Sequence, residues 1–166
     1  MSNSPGVSHS LSRQAAEDLA VARDRFNRST ANLSESISEF APAAGMMTVA
    51  QHVAHVARVI DWFMEGAFRA EGFDMNFEPQ IQTVLRIESL SSAREWFEKS
   101  MTGAIRLIAA QSDAELMTAL PPGPVLGGLP RITIVREIVE HTSHHRGALT
   151  VYARLKNIEP PDPYGM

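Results

Sequence analysis

The fold of this chain is constrained first by a spacing. Four separated stretches place their apolar residues three and four positions apart, the repeat that lines one face of an α-helix, and no alternating run flanks a two-residue hairpin turn. The first stretch carries Leu11, Ala15, Leu19, Ala22, Phe26, Leu33 and Ile37. The second begins near Met47 and continues through Val49, Val53, Val56, Ile60, Phe63 and Ala67 toward Gly72. The third runs through Phe97, Met101, Ala104, Ile105 and Ile108; Ser92 followed by Glu95 predicts a capping box at its start, each side chain satisfying the other's free backbone N–H. The fourth extends from Thr133 to Lys156.

What lies between these stretches breaks helices. Pro42 and Gly45 separate the first from the second. Residues Phe73 to Leu90 mix apolar side chains with Asp74, Asn76 and Pro79 without a clean period, and read as a long crossover connection. The segment Leu120 to Pro130, LPPGPVLGGLP, holds four Pro and three Gly and reads as a rigid, kinked loop. Pro160, Pro161 and Pro163 stop the last helix. The expected fold is all-α, an antiparallel four-helix bundle with one long crossover. Its single domain spans residues 11–158, between a flexible, Ser-rich leader at 1–10 and a Pro-rich tail at 159–166.

Composition narrows the function. Fifteen Lys and Arg against nineteen Asp and Glu give a formal charge of -4 over 166 residues, without the basic excess that nucleic-acid binding draws on. There is no Cys, which removes disulfides, thiolate metal sites and a cysteine nucleophile together. The amino terminus lacks the apolar core of a secretory signal, and no stretch approaches a membrane span in length. A soluble, cytoplasmic protein is the expectation.

The histidines carry the chemistry. Five of the six fall in two groups, His52 and His55 in the second periodic stretch and His141, His144 and His145 in the fourth. On a helical wheel His141 and His145 lie within about 40° of Ile134, Ile138 and Tyr152, in the stripe that must face the core. A single core histidine usually hydrogen-bonds a neighbour. Two of them four residues apart project in parallel and can share one first-row metal ion, and a third from the second helix would complete a three-His face open to water or substrate. Periodicity slightly favours His52 as that third residue, yet Val59 and Trp62 extend the apolar face toward His55, so both remain candidates. His144 lies to the flank. Glu137 sits one turn before His141, where it can accept a hydrogen bond from a ligand histidine. Thr142 stands where an H-E-x-x-H metalloprotease carries its general base, which argues against a peptidase.

The run MTVAQHVAHVARVIDW, with a His seven residues after its Thr, followed more than eighty residues later by HTSHHRG, resembles the DinB-like/YfiT-like superfamily of four-helix-bundle proteins. The resemblance implies that His55, His141 and His145 are the metal ligands, that the ion is nickel or zinc, and that the protein forms a homodimer. One departure is that Ala148 follows Gly147, where the family often has Gln. The implied function is that of a metal-dependent enzyme acting on a small molecule, either of thiol S-transferase type or a hydrolase. With no Cys in the chain, a low-molecular-weight thiol would enter as cosubstrate. The alternative is a non-catalytic, metal-binding or stress-associated dimer. Trp62, Phe63, Trp96 and Phe97 are expected as core or interface anchors, some of them lining a pocket above the metal. Its rim would come from the Phe73 to Phe77 segment and from LPPGPVLGGLP.

Overall fold

The computed structural model describes residues 10–165. The leader expected at 1–10 lies outside them, apart from Ser10. That residue caps the first helix, α1 (Leu11–Thr30), its hydroxyl accepting the Arg13 backbone N–H at 3.2 Å. Helices α2 (Val49–Phe68), α3 (Phe77–Leu85), α4 (Leu90–Ala109), α5 (Asp113–Leu116) and α6 (Thr133–Leu155) follow. Among the described residues the sole β pairing is a single bridge between Ala119 and Pro130, and no helix is long and apolar enough to cross a membrane.

The four long helices form the bundle, α1 packing on α4 and α6, and α2 packing on the same two. Hydrogen bonds between ends fix their directions. Arg94, near the start of α4, donates to the carbonyls of Thr30 (2.6 Å) and Leu33 (3.3 Å), so α4 runs antiparallel to α1. Tyr152, near the end of α6, donates to the carbonyl of Met47 just before α2 at 3.1 Å, and Arg131 donates to Ala67 at 2.9 Å, so α6 runs antiparallel to α2. Helices α2 and α4 start at the same end, where Glu35 accepts the free N–H groups of Leu90 (3.1 Å) and Ser91 (3.0 Å). A chain that leaves the far end of α2 must therefore return the length of the bundle before α4 begins. Residues 69–89 make that crossover.

Three local expectations are corrected. Periodicity extends the first helix to Ile37, but α1 stops at Thr30, whose hydroxyl bonds back to the Phe26 carbonyl at 2.9 Å while Arg94 takes up the carbonyls beyond. Leu33 and Ile37 are still buried, from a turn and a short 3-10 segment, so they keep the apolar spacing without continuing the helix. The crossover is also less irregular than its sequence implies, since Phe77–Leu85 is helical and docks on α2 through the buried Val84 and a Gln51 bond to the Leu85 carbonyl at 3.0 Å. Finally, the Ser92/Glu95 capping box does not form. Helix α4 starts earlier, with Ser89 accepting the Ser92 N–H, because Leu90 is buried and Glu35 supplies an anion to the first turn. Capping boxes occur instead at Thr48/Gln51 and Ser112/Glu115.

The core runs the length of the bundle. Phe26 and Phe97, both essentially inaccessible, stack 4.5 Å apart between α1 and α4. Leu19, Ile60, Met101, Ile108, Ile134, Ile138 and Leu149 continue it. Each such side chain contributes about 1.5–3 kcal/mol by leaving water. The Pro-rich tail lies against α1 and the loop after it: Asn32 bonds the Glu159 carbonyl at 2.9 Å, and Arg25 stands 5.2 Å over the Tyr164 ring.

Candidate metal centre

Helix α6 has no choice but to bury imidazoles. Ile134, Ile138, Leu149 and Tyr152 define its inward face, and His145 lies in the same stripe with 7% of its surface exposed. His141 is one turn earlier and half-buried. Across from them α2 presents His52, fully buried, and His55, half-buried, its first turn held by the Thr48/Gln51 cap. The rings of His55, His141 and His145 stand 4.5–5.0 Å apart between centroids, and one ring nitrogen from each lies within 4.8 Å of the others. Among the described residues, the group that can share one ion stops at these three.

The other residues singled out by sequence occupy different places. His52 is not part of the three-His face. Its Nδ1 is 3.0 Å from Nδ1 of His145, and its Nε2 is 3.1 Å from the Tyr152 hydroxyl. His144 is exposed at the flank, with its ring 4.9 Å from that of His145. Glu137 faces the site but accepts its hydrogen bonds from Arg136, at 2.9 and 3.2 Å, rather than from a ligand histidine. Thr142 is buried, so the position of a zincin's base holds no accessible group. Tyr152 was legible only as another member of the apolar stripe, and its hydroxyl proves to be the polar end of a buried relay.

Burial keeps these imidazoles neutral. His145 is pushed down to about 2, first by its desolvation and then by the neighbouring His55, His141 and His52. His141 is lowered to about 4 by burial and then by His55, and His52 to about 4 by burial and then by His55. His55 is lowered by burial and by His144. Neutral imidazoles are the form that ligates a metal. The donor set also fits an ion: Nε2 of His141 is buried and has no hydrogen-bond partner, a cost of about 1–3 kcal/mol that coordination would remove.

The three histidines sit at the base of a cavity of about 680 Å³. Its walls are largely apolar. Val59, Trp62 and Phe63 come from α2, and Phe77, Ile81 and Val84 from the crossover helix. Trp62 is held by an N–H bond to the Asp74 carbonyl at 2.7 Å and packs within 5.0–5.6 Å of the rings of Phe63, Phe73 and Phe77. Gly66 makes room for this cluster, since a Cβ there would enter the Phe73 ring. Trp96 and Phe97 stay out of the cavity, Trp96 donating to Asp61 at 2.7 Å. The crossover thus supplies a rim as expected, whereas the LPPGPVLGGLP loop supplies none, because it joins α5 to α6 and buries Leu120 at the opposite end of the bundle from the α2 start.

Fold and site together define a helical-bundle protein with three convergent histidines at the floor of an apolar cavity. The chain belongs to the DinB superfamily, whose family model matches residues 18–149. A DinB-like protein from Bacillus cereus ATCC 10987, known from a crystal structure, is similar in fold with a TM-score of 0.70 over 89% of this chain and 93% of that one. The two are 17% identical, so the likeness carries the arrangement of helices. No curated protein matches the chain.

Proposed function

We propose that this protein is a metal-dependent enzyme in which His55, His141 and His145 hold a nickel or zinc ion for transfer of a small thiol to an electrophile, or for hydrolysis. The observation that carries this reading is the joining of three neutral histidines to a roomy apolar cavity, with no fourth protein donor among the described residues to close the site. Structural zinc sites are closed by four protein ligands, whereas catalytic sites leave a position open. When bound, such an ion supplies Lewis acidity, lowering the pKa of a thiol or a water molecule held beside an electrophile.

The chain's own residues would do the rest. Trp62, Phe77, Ile81 and Val84 line the cavity and would receive an apolar substrate. His144, exposed at the flank of the ligand group, lines the same cavity. The absence of Cys requires the thiol to come from outside the chain.

The experiment is a turnover screen of nickel-loaded and zinc-loaded protein. One panel pairs electrophiles with several thiols, and a second offers simple esters and amides. Turnover lost in His145→Ala supports the enzyme. Stoichiometric metal with no turnover above that control in either panel would replace it with the non-catalytic metal-binding protein.

A further inference from the structure

Three buried groups stand in line behind His145, and together they leave one consistent placement of protons. The carbonyl of Met47 can only accept, so the Tyr152 hydroxyl, 3.1 Å away, spends its single proton there. The Tyr152 oxygen must then accept from Nε2 of His52, at 3.1 Å. A neutral His52 that donates from Nε2 has a bare Nδ1. Facing it at 3.0 Å is Nδ1 of His145, which must carry the proton that joins them. The opposite polarity would leave the Met47 carbonyl without its Tyr152 donor and put a proton on Nε2 of His145.

From this chain of hydrogen bonds we infer that His52 and Tyr152 are positioning residues that lock His145 in the Nδ1–H tautomer, leaving its Nε2 lone pair free for the metal. The inference rests on the reading of His145 as a ligand. It assigns a role to a second histidine of α2: His55 provides a donor to the shared group, and His52 sets the tautomer of a donor on the facing helix. The relay ends on backbone at the α2 start, where the Thr48/Gln51 capping box fixes the chain, so the reference point of the tautomer is rigid. Outer partners of metal-binding histidines typically change affinity by about 10–100-fold when removed.

Two measurements test it. Long-range 15N–1H correlation spectra of the metal-free wild type should show the proton of His145 on Nδ1 and that of His52 on Nε2; a proton on Nε2 of His145 would overturn the inference. This result does not depend on metal, so it separates a wrong relay from a wrong metal site. In the second, Zn2+ affinity is measured by competition with a chromophoric chelator. Tyr152→Phe and His52→Ala should bind about 10–100-fold more weakly than wild type while still saturating at one equivalent. His52→Gln, whose amide carries both an acceptor and a donor, should recover much of the loss. Unchanged affinity in Tyr152→Phe and His52→Ala would refute the positioning role, whereas wild type that takes up no Zn2+ would refute the three-ligand reading on which it rests.

Discussion

Replacing His55 by alanine removes one of three convergent donors and leaves the core intact, because His55 is half-buried at the cavity floor while Val53, Val56 and Ile60 carry the packing of α2. An ion that binds only the folded chain stabilises it by about 2.7 kcal/mol when present at a hundred times its dissociation constant. For a chain of this size each kcal/mol moves the melting temperature by about 2–4 °C, so the wild-type shift should be roughly 5–11 °C. Two imidazoles are an incomplete face. A hundredfold weaker site at the same metal concentration would stabilise by about 0.4 kcal/mol, a shift of roughly 1–2 °C. The assay is a thermal melt of chelator-stripped protein with and without nickel or zinc, paired with elemental analysis. His144→Ala is the control, since His144 lies outside the ligand group and should keep the full shift. A full shift in His55→Ala, or its loss in His144→Ala, would refute the assignment of donors.

Acidification should destabilise the metal-free protein in a defined window. In the folded state burial lowers His52 and His141 to about 4 and His145 to about 2, against an ordinary value of 6.5, so between those values the unfolded chain binds more protons. Stability is therefore retained above pH 6.5, declines as pH falls through it, and levels off for His52 and His141 below about 4; urea midpoints across this range check it, and a midpoint that rises on acidification would contradict it. Phe97→Ala, at a site 1% exposed and stacked on Phe26, should cost about 3–5 kcal/mol in urea denaturation with metal stoichiometry unchanged. Trp62→Ala should leave metal content intact and weaken binding of an apolar fluorescent probe such as Nile red several-fold, because the ring forms the aromatic wall beside the histidines.

Much of the bundle was legible because burial and sequence share a period. Most residues of the four stripes are buried in the structure, Phe26, Ile60, Met101 and Ile138 among them, although Leu11 at the start of the first is exposed, and the crossover between α2 and α4 is long for the reason the fold requires. One error falls where burial is preserved but helix is not. Leu33 and Ile37 reach the core from a turn and a 3-10 segment, so their spacing could not reveal that α1 had ended. The end of α1 is decided by Arg94, sixty-four residues from Thr30, and the start of α4 by Glu35, fifty-five residues from Leu90. Helix α3 carries no clean apolar period because it buries a single residue, Val84, and turns Phe77 and Ile81 to the cavity. A stripe that faces a cavity is not distinguished from exposed surface by spacing alone.

The site shows the same division more sharply. The i, i+4 pair His141 and His145 could be read from α6 alone, since two imidazoles in the middle of an apolar face are unusual on one helix. The third donor could not. His52 and His55 both turn toward α6, and periodicity favours the more central of the two, which is indeed the more buried: His52 is 6% exposed. Depth, however, is a poor guide to which histidine joins a group that lines a cavity. The group nearest the core meets the polar tip of another core residue, here Tyr152, and the group nearer the cavity joins the shared donors. Periodicity reports how far in a side chain points. Which of two inward histidines joins the group of three depends on what each meets there, and for His52 that is a hydroxyl one hundred residues away in the chain.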